Sequence, residues 1–444
     1  MAERKMYAID LFCGAGGMSE GILRAGFDII FSNDINEQVM KTYCHRHEQL
    51  GLIHGKNTYE FCGDIRDITG QFVLDSIKSL KIFRNNKTLP VIDAIFGGPP
   101  CQGFSRAGKR GGADDPRNFL FREYVRVINE IKPRYVVMEN VEGFTDTKLE
   151  GFVGLDGEKY ANKNCLAPLL LRNELKKIGY LTLEPRLLKA SDYGVPQNRR
   201  RIIFIAYRED QIEPKYPEPT TPTNKVTVLE AIGDLIRDTR TRNKYNKVKS
   251  QYQLDSINGR LGISSNGKLL NNELPAHSPL IEERFSLFKE GEKASDLKKR
   301  IKKDGIDLSK KPALLEYLSK ELGISKEKVI EGYKSHPLDE HFVELLLTRK
   351  NMRTRMQSNS QSLTVVTLPD DYIHPIENRT FSVREMARLQ SFDDSFEFLG
   401  KRTTGGLRRR VEVPQYSQVG NAVPPLLAYA IASEIAKAIK KADS

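Results

Sequence analysis

The sequence predicts an α/β protein built on a doubly wound, mostly parallel sheet. Three observations predict it. Short apolar runs alternate with helical stretches over residues 1–208, the pattern of β-α-β units. The runs are continuously apolar rather than alternating, as strands covered on both faces are. Polar and glycine-rich surprises fall at the carboxyl ends of those runs, where open α/β sheets bind ligands.

The elements follow in order. Tyr7 to Phe12 is the first strand and leads into Gly14, Gly16 and Gly17, with a helix through Met18 to Ala25. Asp28 to Phe31 is the second, ending at Asn33-Asp34, and Val91 to Phe96 the third, ending in Gly97-Gly98-Pro99-Pro100. Tyr135 to Met138 is the fourth, ending at Glu139-Asn140, and Arg201 to Ala206 the fifth. The character changes near Asp210. Glu213 to Asn224 is rich in Pro and Thr and reads as a linker. To about Asn378 the chain is polar and irregular, with charged helical stretches at Ser295 to Lys303 and Pro312 to Lys334. Apolar patterning returns at Val383 to Leu389, and Pro424 to Lys441 reads as an amphipathic helix with proline near its start. The expected organisation is a first domain over 1–208, a smaller inserted domain over 209–377, and a return over 378–444 that completes the first.

Composition bounds the function. At 444 residues the chain is too long for one ordinary core. No apolar run is expected to cross a bilayer, because the longest uncharged stretch, Val413 to Ser433, is interrupted by Gln415, Gln418, Gly420, Asn421 and a proline pair. The amino end lacks the apolar core of a secretory signal. A cytoplasmic protein without membrane contact is expected. The five cysteines, Cys13, Cys44, Cys62, Cys101 and Cys165, form no C-x-x-C pair, so reduced thiols and no metal site are expected. The net charge of +12 suits a polyanionic partner or a solvated basic surface. Clusters at Arg199-Arg200-Arg201, Arg240 to Lys249 around Tyr245, Lys298 to Lys303, and Lys401-Arg402 with Arg408 to Arg410 favour the former.

Four motifs carry chemistry. Asp10-Leu11-Phe12-Cys13-Gly14-Ala15-Gly16-Gly17 is a strand, a glycine turn and a helix start, which lets backbone approach a nucleotide-like ligand. Asp34, twenty residues past Gly14, stands where an acid can hold ribose hydroxyls; the spacing does not separate a nicotinamide dinucleotide from S-adenosylmethionine. In Gly97-Gly98-Pro99-Pro100-Cys101-Gln102-Gly103-Phe104-Ser105 a stiff loop presents a thiol at a strand end, the positioning that a nucleophile requires. Glu139-Asn140-Val141 puts a carboxyl at the end of an apolar strand, where desolvation favours its neutral form. Gln197-Asn198-Arg199-Arg200-Arg201 adds guanidinium forks beside a strand.

The ordered set, continued by Arg384-Glu385-x-Ala387-Arg388-Leu389-Gln390 and Gln418-Val419-Gly420-Asn421-Ala422-Val423, resembles the cytosine-5 DNA methyltransferase family, prokaryotic and restriction-modification-like. The resemblance covers residues 7 to about 208 and about 378 to 428, and it is thin over 209–377, which corresponds to the family's target-recognition region. It implies a Rossmann-like, class I S-adenosylmethionine-dependent methyltransferase domain acting on a cytosine flipped out of double-stranded DNA. It implies Cys101 as nucleophile toward C6, Glu139 as the group at N3, and Arg199 and Arg201 steadying the ring oxygen, a neighbouring phosphate or Glu139 itself. S-adenosylmethionine would be lined by Phe12, Gly14, Ala15, Gly16 and Gly17, with Asp34 on its ribose. Ile35, Asp64 and Ile65 would meet the adenine, Pro100 and Leu120 the methionine end, and Asn421 and Ala422 would close the site. Relatives often carry a larger side chain where this chain has Ile35. No metal is implied. A monomer is expected, with a cognate restriction endonuclease acting on the same site as its partner in the cell.

Competing readings are a cytosine-5 methyltransferase acting on transfer RNA, a catalytically silent DNA-binding module, and a nicotinamide-dependent oxidoreductase. Gly103 and the long central region favour DNA over transfer RNA, and Cys101 with Glu139 argue against the other two. The loop Ser105 to Asn118, carrying Arg106, Lys109, Arg110, Gly111 and Gly112, is expected to close over DNA. Base readers are expected within Arg353 to Thr367, where Arg353, Arg355, Gln357, Asn359 and Gln361 are spaced as a polar loop, although phosphate contacts fit the same residues.

Overall fold

A central sheet of eight strands organises the molecule: β1 (Met6–Leu11), β2 (Phe27–Asp34), β3 (Tyr59–Cys62), β4 (Ala94–Gly97), β5 (Tyr135–Val141), β6 (Tyr180–Thr182), β7 (Arg186–Lys189) and β8 (Arg200–Arg208). The computed structural model describes residues 4–100, 120–161, 165–347, 353–404, 406 and 408–444, with Arg409 and Arg410 described in backbone only. The strand order is β3-β2-β1-β4-β5-β8-β6, and β7 pairs with β8. Strands β1 to β5 run parallel, while β8 is antiparallel to β5, β6 and β7. The last point corrects the expectation that Arg201 to Ala206 extends a parallel sheet. The link 190–199 between β7 and β8 is shorter than the dozen or more residues a parallel crossover needs, so β8 turns back on β7. Both faces of β8 are covered, so its apolar run reads the same in either direction.

Alternation of side chains along each strand divides the core in two. Helices α1 (Gly17–Arg24), α2 (Glu37–Gln49), α3 (Gly70–Ser79), α4 (Leu120–Ile131) and α5 (Ala167–Lys177) belong to this half. On one face α3, α4 and α5 cover Ile9, Ile95, Val136, Met138 and Phe204. On the other face lie Ala8, Ile29, Phe96, Val137 and Ile205. The short strands β3, β6 and β7 are partly exposed, so no apolar run announces them in the sequence.

The rest of the chain is helical. It contains α6 (Val228–Ile232), α7 (Thr239–Tyr245), α8 (Gln251–Asn258), α9 (Pro279–Ser286), α10 (Ala294–Asp304), α11 (Pro312–Leu322), α12 (Lys326–Lys334) and α13 (Glu340–Leu346). The return adds α14 (Val383–Leu389), α15 (Arg408–Glu412), α16 (Gln415–Asn421) and α17 (Pro425–Asp443). The single helical stretch expected over Pro312 to Lys334 is two helices. Gly323 ends the first in the left-handed region (φ 65°), and Ser325 caps the second by accepting from the Lys328 amide. Helices α9 to α13 share their own core, with Leu297, Leu314, Tyr333 and Val343 at its centre. Helices α6, α8, α14 and α16 share another, around Val228, Tyr252, Met386, Phe392 and Val419.

Helix α17 closes the second face of the sheet with Leu427, Ile431, Ile435 and Ile439, repeating every fourth residue. Among the described residues, Gln415–Asp443 is long and apolar enough to cross a membrane, which the sequence was not expected to contain. Of its most apolar window 61% is buried inside the molecule, as a core helix requires. The closest approach is at Gly21 of α1, where a Cβ would lie 2.4 Å from the Tyr429 amide nitrogen and 2.5 Å from the Ala428 Cβ. Gly21→Ala should therefore overpack α1 against α17 and lower stability by about 1–3 kcal/mol in denaturant titrations. Wild-type stability in that variant would mean that the two helices separate without cost.

Candidate active site

Register decides which residues meet at the carboxyl edge of the sheet. Cys62 lies opposite Asp34, Asn33 opposite Leu11, Leu11 opposite Gly97, and Gly97 opposite Met138. The five parallel strands therefore set Asp64, Asp34, the Phe12–Gly17 turn, Gly98-Pro99-Pro100 and Glu139 along one edge. Strand β8 runs the other way, so its amino end reaches the same edge, with Arg201 opposite Val141.

The glycine turn is built by backbone. Phe12 (φ 56°), Gly14 (φ 56°) and Gly16 (φ 102°) occupy the left-handed region. For Phe12 that conformation is strained, and such strain clusters at ligand sites. The Cys13 amide donates to the Asn33 carbonyl at 2.9 Å, and the Gly16 amide to the Cys13 carbonyl at 3.1 Å. A Cβ on Gly14 would meet nothing within 4 Å, so the space above the turn is open. Asp34 accepts from the Gly14 amide through Oδ2 at 3.0 Å and from the Asn36 amide through Oδ1 at 2.9 Å. Burial raises the Asp34 pKa, and these amides oppose the rise. An open glycine turn with a carboxylate at each of the next two strand ends fits a nucleoside bearing ribose hydroxyls.

Other predicted ligand contacts divide. A Cβ on Gly17 would lie 2.3 Å from the Val423 carbonyl oxygen and 3.0 Å from the Ala422 Cβ, so the return sits directly on the turn. Ala15 is buried in the core it shares with Ala422, and Asn421 next to it is exposed. Asp64 accepts from Arg66 at 2.5 Å, and this contact holds its pKa below the ordinary carboxylate value. Ile65 differs from expectation, because its side chain is buried in the sheet core and its carbonyl accepts from Arg126 Nη2 at 3.0 Å. Ile35 is 65% exposed. Leu120, the first residue of α4, is partly buried against the core. Pro100 is partly buried too, and both border the undescribed stretch 101–119.

Glu139 is buried at the end of β5 and pairs through Oε1 with Arg201 Nε at 2.7 Å. A Cβ built on Gly98 would lie 3.4 Å from the Glu139 Oε2. Asn140 donates from Nδ2 to the Pro99 carbonyl at 3.1 Å. The Gly98-Pro99 loop thus lies beside the carboxyl at Gly98 and is tied to β5 through Asn140 at Pro99. The sequence offered Arg199 and Arg201 alike to this carboxyl, and Arg201 is the one that pairs with it. Burial lowers the Arg201 pKa, and Glu139 opposes that shift. Cys101 and the loop Ser105 to Asn118 lie outside the described residues. Among the described cysteines, burial pushes the Cys13 thiol well up, Cys44 up to about 12, and Cys62 up.

Arg199 departs from its expected role. It is buried and donates to the carbonyls of Val365 at 3.2 Å and Gly420 at 3.0 Å; its guanidinium makes no ion pair with Glu139 among the described contacts. It ties the start of β8 to the return. Gln197 does the same. Its Nε2 donates to the Leu389 carbonyl at 3.1 Å and to Gln390 Oε1, and its Oε1 accepts from the Val365 amide at 2.9 Å. Gln390 in turn donates to the carbonyls of Val419 and Ala422. The sequence signal for this wiring was present in the motif glutamines, but no spacing rule names their partners.

Two expected base readers are also occupied. Arg355 is buried and donates to the carbonyls of His374, Glu377 and Phe285. Arg353 is buried, stacks over the Phe285 ring at 4.8 Å and donates to the Asp370 carbonyl. Gln357 and Asn359 are exposed. Gln361 donates toward the Val226 carbonyl at 3.4 Å. Among the described residues no group of three or more His, Cys, Asp or Glu side chains is placed to hold a metal.

A family model described as C-5 cytosine-specific DNA methylase matches residues 6–437. The chain is 31% identical over 431 residues to the Type II methyltransferase M1.HphI of Haemophilus parahaemolyticus, covering 97% of this chain and 86% of that protein. It is 32% identical over 440 residues to the Type II methyltransferase M.XorII of Xanthomonas oryzae pv. oryzae, covering 98% and 85%. Its fold is similar to a crystal structure assigned to a prophage-encoded DNA modification methyltransferase of Escherichia coli. The TM-score there is 0.63 at 22% identity, over 98% of this chain and 99% of that one.

Beneath the turn, Asp10 accepts from the Ser19 hydroxyl, and burial pushes its pKa up to about 7. A folded value above the unfolded one means that the native state binds the extra proton between them. Stability from this group falls as pH rises from about 4 to about 7 and is flat above. Asp10→Asn keeps an acceptor for Ser19 and removes the titration. In the ligand-free protein, the melting temperature of the variant should gain a few degrees on wild type between pH 5 and pH 7.5. A constant difference across that range would show that Asp10 ionises without penalty.

Proposed function

The chain belongs to the C-5 cytosine-specific DNA methylase family and is a DNA (cytosine-5-)-methyltransferase; from that premise we propose how its residues divide the reaction. The observation that carries the proposal is the Glu139–Arg201 pair beside the Gly98-Pro99 loop, with Cys101 two residues beyond Pro99 in the chain.

Cytosine C5 is a poor nucleophile until the ring's conjugation is broken. The Cys101 sulfur forms a bond to C6, and the displaced electron pair moves through the ring to N3. Glu139, having first taken up a proton from solvent on Oε2, the oxygen on the Gly98 side, gives that proton to N3, while Arg201 holds Oε1 and so fixes the carboxyl's orientation. C5 is then the carbon of an enamine. S-adenosylmethionine, when bound, supplies an electrophilic methyl group. After C5 has taken the methyl, Glu139 recovers the N3 proton, a base removes the C5 proton, and the S–C6 bond breaks to restore the ring and the thiolate. The raised pKa values of Cys13, Cys44 and Cys62 support Cys101 as the reactive thiol. Arg199 is a positioning residue in this reading.

Phe12 to Gly17, Asp34, Asp64 and the Ile65 backbone would hold S-adenosylmethionine, with Asn421 and Ala422 as the closing side. The open turn at Gly14 and the amide-supported Asp34 support that assignment. The segment 209–377 would read the DNA sequence. The Type II relatives support a protective role in a restriction-modification system, beside an endonuclease of the same specificity. A soluble, cytoplasmic monomer fits that role.

Methylation of plasmid DNA followed by base-resolution mapping should give 5-methylcytosine within one defined sequence. Cys101→Ala should abolish methyl transfer yet retain duplex binding; turnover in that variant would exclude covalent catalysis by this thiol. Glu139→Gln should slow turnover by about 10²–10⁴-fold, and a near-normal rate would remove its role. A duplex with 5-fluorocytosine at the mapped position should trap a denaturation-resistant adduct, since fluorine cannot leave as a proton does. Absence of the adduct would count against addition at C6.

A further inference from the structure

Of the basic clusters in the sequence, two fall in the central segment, and the structure separates them. The helical unit 279–347, which contains Lys298 to Lys303, has as many Asp and Glu as Lys and Arg residues, fourteen of each. Some of its cations are paired: Arg300 with Glu292 at 2.7 Å, Lys302 with Glu340 at 3.2 Å, Lys326 with Glu316 at 2.5 Å, and Lys334 with Asp307 at 3.4 Å. This unit carries no net charge.

The stretch 237–249 is the opposite. It carries six Lys and Arg against one acid, Asp238, and among the described residues none of those six forms an ion pair. Helix α7 within it buries no residue. A seven-residue helix without tertiary burial does not hold itself together in water, and this one is held by specific devices at both ends. Asp238 caps its start by accepting from the Thr241 amide at 2.7 Å. At its end Asn246 clasps Gln253 of α8 amide to amide, at 2.9 and 3.3 Å. A Cβ on Gly233 would lie 2.8 Å from Asn246 Oδ1, so the clasp is seated against the turn that follows α6. That turn is anchored in the body through Asp234 and Arg388 at 2.5 Å. The fold thus fixes a projection that contributes nothing to a core. Arg240 and Lys244 stand four residues apart on one helical face, where like charges repel unless an outside anion intervenes. Beyond them Lys247 and Lys249 are exposed, Val248 is 80% exposed, and Tyr245 is 37% exposed with Lys244 over its ring at 5.1 Å.

We propose that the α7 projection, through Arg240, Lys244, Lys247 and Lys249, grips the phosphate backbone of the duplex outside the base pairs that specify the methylated site. Charge complementarity selects the occupant: an unneutralised row of cations on a fixed mount meets a continuous polyanion, with Tyr245 and Val248 against the deoxyriboses between phosphates. The contact carries no sequence information. This assignment rests on duplex DNA being the substrate.

The test is the salt dependence of binding to a random-sequence duplex, read by fluorescence anisotropy on the full chain. Each phosphate contact contributes about 0.9 to the slope of log affinity against log salt. K244A/K247A/K249A should lower the magnitude of the slope by about two to three and weaken binding about tenfold or more at low salt. The charge-preserving K244R/K247R/K249R should bind as wild type does. K299A/K302A/K303A, which removes the same charge from the helical unit, should leave the slope within about half a unit of wild type. An unchanged slope in K244A/K247A/K249A overturns the proposal, and so does an equal fall in the helical-unit control, which would mean that net charge alone matters. Turnover at saturating genomic DNA, followed by transfer of labelled methyl groups, should match wild type in K299A/K302A/K303A. Wild-type protein that methylates no DNA would instead refute the assigned reaction, whatever the slopes show.

Discussion

The Glu139–Arg201 ion pair exists because β8 runs against β5. In a wholly parallel sheet the amino end of β8 would lie at the opposite edge, a strand's length from Glu139. The reversal brings the start of β8 to the edge where five parallel strands end. The pair is nearly dry, and a dry ion pair is weak support for folding, since desolvation offsets most of the attraction. What assembles it is the apolar core on either side of the sheet, contributed alternately by β8 itself: Phe204 and Ile202 to one face, Ile203 and Ile205 to the other. The pair then gives the carboxyl one orientation, with Oε1 committed and Oε2 turned toward the Gly98 side.

The same edge is held from behind by amides rather than charges. Gln197, Gln390 and Gln418 are all buried, and each uses its side chain on partners far away in sequence. In a low-dielectric interior such bonds are strong when complete and costly when broken. Arg384 and Arg388 extend the pattern. Arg384 donates to the carbonyls of Leu270, Asp393 and Phe396, and Arg388 pairs with Asp234 and Asp394. The return is therefore scaffold for the catalytic edge. Its motif residues bond both backbone carbonyls, as Arg384 and Gln390 do, and buried carboxylates, as Arg388 does.

The strands that cross the core were legible because burial on both faces demands unbroken apolar runs, and their ends were legible because ligand-facing turns need glycine and acid. Strand direction was not, since an apolar run has no polarity. Short edge strands were not, since partial burial leaves no pattern. At the site, Asp34 and Glu139 could be read from their positions at strand ends, but the partner of Glu139 could not be chosen between Arg199 and Arg201. Two arginines at alternate positions differ only in which carbonyls the distant return offers. Arg353 and Arg355 misled for a related reason: an arginine beside polar residues suggests a surface, yet both are buried among carbonyls. Ile65 shows the converse, an apolar side chain that belongs to the core while its backbone stays at the edge.

These buried arginines change what the central segment is physically able to do. The loop carrying Gln357 and Asn359 is clamped at both ends. Arg353 and Arg355 fix one end to the helical unit through Phe285. The amide of Ser362 donates to the Pro196 carbonyl at 2.9 Å and its carbonyl accepts from the Asn198 amide at 2.8 Å, which fixes the other end to the start of β8. Neither clamp uses the exposed side chains between them. Those side chains can therefore change without loosening Arg199 or Arg201. The contacts that hold Arg199 and Arg201 and the clamps that hold the loop carrying Gln357 and Asn359 are separate sets.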